Sequence, residues 1–180
     1  MNAITIRRAT LADAAVLAEL GASTFAETFG ADNTPEDLAS HLQSAFGVVQ
    51  QSAELIDPDV ISLLVYQDVT LVGFAQVCRK ATPACVTGEH PVELSRFYLI
   101  RAAHGQGAAA PLMHAAQAAA QELGGLHLWL GVWEHNPRAI AFYMKSNFSK
   151  VGSHYFMVGS DRQTDWLFVT ALDETAGSSI

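Results

Sequence analysis

The chain has 180 residues, half of them hydrophobic and 16% charged, which excludes a disordered or coiled-coil chain and allows one domain with a full core. A formal net charge of −8 argues against nucleic-acid binding, which needs clustered Lys and Arg. That charge is compatible with a cationic small-molecule partner, and many cytosolic proteins carry it for solubility alone.

Taken in order, Ile4 to Arg7 alternates in polarity and reads as a first strand. Thr10 with Asp13 reads as an N-cap and first-turn acid, opening a helix whose apolar stripe runs through Leu17 and Leu20 to Phe29, with Gly30 ending it. Thr34 caps a second helix with Pro35 at its first position, and a third helical piece from Val48 to Ile56 stops before Asp57-Pro58. Val60 to Tyr66 and Thr70 to Arg79 read as an antiparallel hairpin turning at Gln67-Asp68, and Lys80 to Pro91 as an exposed loop. Cys78 and Cys85 flank that loop without CxxC spacing and read as inert thiols, neither disulfide nor metal site.

Val92 to Ala120 organises the rest: an apolar strand to about Ile100, a turn holding Gly105 and Gly107, then an alanine-rich helix to Leu123 stopped by Gly124-Gly125. A glycine turn feeding a helix start gathers free N–H groups and a positive dipole end, so it is built to take a phosphate. Leu126 to Trp133 is a further buried strand, giving a strand–helix–strand unit with a parallel pair. Asn136-Pro137 opens a helix running to Ser146, with Asn147 a plausible left-handed cap, and Phe148 to Val158 and Thr164 to Ala171 form a last strand pair. Residues 1–172 thus read as a single domain and Asp173 to Ile180 as a frayed tail. No apolar stretch of about 18 residues and no signal-like start occurs, so the expected location is cytoplasmic, away from membranes.

Gly105-x-Gly107-x-x-Ala110 also fits the dinucleotide fingerprint, with Glu134 near a ribose-binding position. A dinucleotide fold needs several consecutive parallel units, however, and antiparallel strands flank this single one. A purely structural glycine turn is the other alternative.

The order of elements, together with His104-Gly105-Gln106-Gly107-Ala108-Ala109, resembles the GNAT acetyltransferase superfamily, whose pyrophosphate loop reads Gln/Arg-x-x-Gly-x-Gly/Ala. Gly107 and Ala109 match, and His104 stands where Gln or Arg is usual. Asn136-Pro-Arg-Ala139 through Phe142-Tyr143 to Asn147-Phe148 is similar to the family's second motif, with Asn147 in place of Gly. Phe25 to Phe29, Thr34-Pro35-Glu36, Trp129 to Asn136, Gly152-Ser-His154 and Gln163-Thr164-Asp165 further resemble the bacterial PaiA-type polyamine (spermidine/spermine) N-acetyltransferases.

The resemblance implies an α+β fold with a mixed, mostly antiparallel sheet carrying one parallel pair and flanked by helices. It implies direct transfer of acetyl from acetyl-CoA, the co-substrate, to an amine. The backbone of Phe97, Tyr98 and Leu99 would hold the pantetheine and acetyl group, and the turn from His104 through Gly105, Gln106, Gly107 and Ala108 to Ala109 the pyrophosphate. Tyr143, seven residues beyond Asn136 on the same helix face, is the expected general acid, since a phenol near pKa 10 stays protonated at neutral pH. Its alternative is a core tyrosine beside Phe142. Asn136 would cap its helix and contact the cofactor. Glu93, expected as catalytic, and Glu134, expected at the substrate, could each act as base through water, bind a cationic acceptor, or be only a solvated surface acid, and Glu27 and Phe29 are candidates for the acceptor wall. Phe25 and Phe29 at i,i+4 also suit a core, and Trp129 and Trp133 read as packing. The seven histidines form no HxH or HxxxH pair, so no metal is expected. The acceptor is expected to be a polyamine or similar small amine. A protein or amino-acid-like amine, and a CoA-binding module without turnover, are the competing readings. A homodimer would be ordinary for the superfamily, though no residue points to one.

Overall fold

The computed structural model describes residues 3–172, so the tail expected for residues 173–180 lies outside the described residues. Alternating and continuous apolar runs produce seven strands: β1 (Ile4–Arg8), β2 (Val60–Gln67), β3 (Thr70–Cys78), β4 (Pro91–Leu99), β5 (His127–Trp133), β6 (Ser149–Val158) and β7 (Asp161–Ala171). They form one sheet in the order β1-β2-β3-β4-β5-β7-β6. Every neighbouring pair is antiparallel except β4 with β5. The mixed sheet with one parallel pair is the fold the motifs imply.

The helices are α1 (Ala14–Phe29), α2 (Pro35–Phe46), α3 (Val48–Ile56), α4 (Ala109–Glu122) and α5 (Pro137–Lys145). A short 3₁₀ turn precedes α1, and Thr10 and Asp13 make the reciprocal capping box read from their spacing. Thr34 Oγ1 accepts from the Asp37 N–H at 3.2 Å, closing the N-terminus of α2. The small residues of α4 let it lie close on the sheet, so Ala108, Leu112, Ala116 and Ala120 share a core with Val77, Leu94, Leu128 and Leu130. Leu17, Phe25 and Phe46 pack with Leu64 and Phe74 on the opposite face. Two layers of helix therefore sandwich the sheet.

Two local expectations shift. The β2–β3 turn centres one residue later than expected, with Asp68 at φ 54°, a left-handed position that Asp tolerates. The segment before β4 is not wholly exposed: Val86 is 7% exposed and packs with Trp129 and Leu167. One apolar residue in a proline-rich stretch has no periodicity to announce its burial. Cys78 and Cys85 are both free thiols, with burial and the Glu93 charge pushing Cys78 up to about 11.

Candidate active site

Strands β4 and β5 pair over only three positions, Pro91 with His127, Val92 with Leu128 and Glu93 with Trp129. Beyond them the strands part. On its other side β4 stays paired to β3, with Gln76 opposite Arg96 and Val77 opposite Leu94, so Ser95 is the extra residue of a β-bulge. The bulge reverses the alternation. Before it Val92 and Leu94 face α4, and after it Phe97 and Leu99 do, while Tyr98 turns to the α1–α2 side. The Ile100 N–H bonds to Val72 O, which by alternation aims the amides of Phe97 and Leu99 away from β3 into the parting. A cavity of about 260 Å³ fills this wedge, lined by β4 from Leu94 to Leu99, by Gly131 and Val132 of β5, and by Asn136, Phe142 and Tyr143.

The glycine turn closes one end. Gly105 at φ 74° and Gly107 at φ 90° occupy the left-handed region, and a Cβ on either would meet no atom within 4 Å, so the turn is open to its surroundings. Ala108, the N-cap of α4, offers no side-chain acceptor, which leaves the first amides of the helix free for an anion. These features fit a diphosphate, and the unpaired β4 edge fits an extended amide chain. Gly105 and Ala109 line the cavity, whereas Gln106 and Gly107 are exposed beside it and Ala108 is buried beneath.

His104 lies between. One ring nitrogen, Nε2, is 3.0 Å from Leu99 O, and Nδ1 is 2.7 Å from Arg138 Nη1. A guanidinium only donates, so Nδ1 must be the acceptor and Nε2–H the donor to Leu99. Burial, then the Arg138 charge, pushes the imidazole below its ordinary range and keeps it neutral. His104 thus supplies no charge itself but ties the exposed Arg138 beside the glycine turn.

Asn136 Oδ1 accepts from the Ala139 N–H at 3.2 Å and so caps α5, as its position before Pro137 dictates. The cap sets the helix phase that sends Tyr143 inward. Tyr143 is 8% exposed, edge-on to Phe97, Phe142 and Phe148, and its hydroxyl has no hydrogen-bond partner among the described residues. Core packing and cavity lining are therefore both true of it. Burial and then Tyr98 push its ionisation well above the ordinary phenol value, so the hydroxyl is a standing donor.

On the α1 side, Phe29 lines the main cavity, 5.6 Å ring to ring from Trp133. Glu27 lines a second, polar cavity with Asp32, Arg101, Trp133 and Arg138, and its carboxylate accepts from the Arg101 N–H at 3.3 Å. Trp133, expected only to pack, therefore reaches a cavity wall, unlike Trp129, which is 3% exposed. Glu134 is half-buried at the end of β5, 3.8 Å from His135, and lines neither cavity. Glu93 lies at the paired end of β4, its carboxylate taking the Cys78 S–H at 3.6 Å, and also lines neither cavity. Sequence reasoning passed over Asp165 as a functional group. It stands across the β5–β7 ladder from Trp133, and burial with the Glu134 charge pushes it up to about 6. Its neighbours in the chain gave no local signal; only the strand pairing does.

A mixed sheet split beside an uncapped glycine turn, with a phenol opposite the open strand edge, defines an acyl-CoA-type N-acyltransferase. The chain belongs to the acetyltransferase (GNAT) family, whose model matches residues 23–148. An uncharacterized N-acetyltransferase from the pepI 3′ region of Lactobacillus delbrueckii subsp. lactis is 30% identical over 96% of this chain and 99% of its own. Another from Mycobacterium bovis is 35% identical over 90% of this chain and 99% of its own. Among solved structures, the PaiA N-acetyltransferase of Thermoplasma acidophilum in complex with coenzyme A superposes with a TM-score of 0.75 at 20% identity, covering 94% and 99% of the two chains. The protein is an acetyl-CoA-dependent N-acetyltransferase. Its mixed sheet with one parallel pair is that of the family.

Proposed function

We propose that the enzyme acetylates a small cationic primary amine of the polyamine kind, with Tyr143 as proton donor. The observation that carries this reading is the wedge between β4 and β5, with a free phenol on one wall and an open strand edge on the other. Acetyl-CoA brings the activated acetyl group and the leaving thiol. The β4 amides at Phe97 and Leu99 would hold the chain of the donor and polarise its carbonyl, since fixed main-chain N–H groups stabilise developing negative charge without reorganising. Asn136 shapes the wall that carries Tyr143. The glycine turn from His104 to Ala109, with Arg138, would take the phosphates.

Tyr143 would hydrogen-bond the sulfur as the carbon–sulfur bond breaks and pass it a proton. The same dry wall that raises the phenol also disfavours a bare thiolate, which keeps the transfer balanced. On the acceptor side, Glu27 shares the polar cavity with Trp133, whose ring meets Phe29, and Asp165 stands across the ladder from Trp133 with the Glu134 charge near it, a combination suited to an ammonium on an alkyl stem. Glu93 would act only at a distance, through water, from its place beside Cys78. Arg101 and Arg138 in the polar cavity favour one further reading, an acceptor that also carries a carboxylate, as an amino-acid-like amine does.

Thiol release from acetyl-CoA with a panel of polyamines, amino acids and peptides tests the proposal. Fastest release is expected with a polyamine. Release with peptides or amino acids alone would replace that acceptor, and tight acetyl-CoA binding with no release for any amine would make the protein a silent binding module.

A further inference from the structure

Gly131 lies on β5 with an ordinary negative φ, so its want of a side chain is not a backbone requirement. It is exposed and lines the main cavity. A Cβ built there would stand 3.2 Å from Asp165 Oδ2 and 3.3 Å from His154 Nε2. Both side chains therefore lie against this glycine, and Gly131 puts no side chain of its own between them and the cavity it lines.

Asp165 itself is 9% exposed and makes no side-chain hydrogen bond among the described residues. Its oxygens are not sealed from solvent, and one of them lies over Gly131. His154 is directly opposite it on β6 and half-buried. Trp133, directly opposite on β5, lines the polar cavity. Three groups with charge or ionisable protons face the carboxyl: Tyr98 from β4, Glu134 from β5 and His154 from β6. Tyr98 lines the wedge, so the carboxyl is within electrostatic reach of the reaction space.

We propose that Asp165 is the base that takes the acceptor ammonium's proton, directly or through a water, across the side-chain-free stretch of wall at Gly131. The inference rests on the amine-acetylating reading of the same site. The ammonium loses one proton to the Asp165 carboxylate, and the freed lone pair forms the bond to the acetyl carbon. The carbon–sulfur bond breaks with its electron pair going to sulfur. The nitrogen's second proton ends on the thiol by way of Tyr143, and Asp165 returns its own to solvent. The sum is an amide, a free thiol and one released proton.

Burial suits the role. Pushed up to about 6, Asp165 is ionised at neutral pH yet holds a proton better than an exposed carboxylate. Glu93 is instead held by Cys78 at the paired end of β4.

The test follows thiol release by the wild type, Asp165→Asn, Asp165→Glu and Gly131→Ala between about pH 5 and about pH 9. Two acceptors are used, an alkyl polyamine and an aromatic amine already neutral at these pH values. The wild type should gain activity with the polyamine as pH rises through about 6. Asp165→Asn should lose about 10²-fold in kcat with the polyamine, lose that limb, and lose little with the aromatic amine, which needs no base. Asp165→Glu should recover much of the loss. Gly131→Ala, which puts a side chain on that stretch of wall without altering charge, should lower kcat while the KM for acetyl-CoA holds. Equal losses with both amines, or none with the polyamine, would overturn the proposal. A wild type inactive with every amine would overturn the amine-acetylating reading, and this assignment with it.

Discussion

Two sets of buried polar groups flank β4, and they are treated oppositely. Behind the bulge, Arg96 pairs with Glu54 through both guanidinium arms and donates to Ala45 O at 2.8 Å. Gln76 Nε2 donates to Glu54 Oε2 at 2.9 Å and to Ser62 Oγ at 3.1 Å, and Ser95 Oγ bonds Gln76 Oε1 at 3.0 Å. This network is closed. Tyr143 in the wedge wall and Asp165 beside Gly131 are as deeply buried and have no hydrogen-bond partner among the described residues. Their polar atoms are not sealed from solvent, so they stay open to water or a ligand where the network's atoms are already paired. The bulge at Ser95 separates the two, since it sends Arg96 into the network and aims the amides of Phe97 and Leu99 at the opening.

The difference predicts that the two sets fail in different ways. Glu54→Ala should be the most damaging change for stability. Burial pushes Glu54 up, but the bonds and charge of Arg96, with Gln76 and Gln50, hold it below its ordinary value. Removing it strands Arg96, whose side chain is 12% exposed, at a cost of about 3–5 kcal/mol. A loss of unfolding free energy in urea titration smaller than about 1 kcal/mol would mean the network is only surface decoration. Tyr143→Phe should do the reverse. It should lower kcat about 10²-fold with acetyl-CoA binding and melting temperature nearly unchanged. A marked loss of stability with normal turnover would return Tyr143 to the core.

The same contrast explains what the sequence could and could not carry. Gly105, Gly107, Asn136 and Tyr143 were legible because their roles are local: a positive φ, a cap, a seven-residue helical spacing. The strand order's one parallel pair was legible from the strand–helix–strand unit. The bulge was not, because Ser95 differs from its neighbours only in what β3 presents opposite it. Glu93 looked poised on the strand, yet the three-residue pairing with β5 leaves it at the closed end. Asp165 entered only within the Gln163-Thr164-Asp165 resemblance and with no role, since its surroundings depend on Gly131 and His154, one strand away on either side. Pairing between distant strands is what local pattern cannot report.

Arg138 stands between the two regimes, exposed but held. Arg138→Ala should raise the acetyl-CoA KM about tenfold with kcat unchanged, the scale of one charge-assisted contact. No change would remove it from the phosphate site.

The smallest effect concerns two histidines, one in each regime. Burial and the Arg96 charge push His41 down in the closed core, where it stacks on Phe25, and burial and Arg138 push His104 down at the turn. Both folded values lie below the unfolded one, so the unfolded chain binds more protons in the window just under the ordinary histidine value. Stability should therefore rise with pH across that window and be lost as pH falls through it. Acetyl-CoA should separate the two contributions. Phosphates held at the glycine turn would favour the protonated His104 ring and oppose the Arg138 repulsion, while His41 packs among Phe25, Phe46 and Phe156 and lines neither cavity. Melting curves between about pH 5 and about pH 7 should show a shallower slope with acetyl-CoA bound. His104→Gln should show that same shallower slope without ligand and no further change when ligand is added. A slope that acetyl-CoA leaves untouched in the wild type would place the phosphates away from His104, and with them the turn that the glycines open.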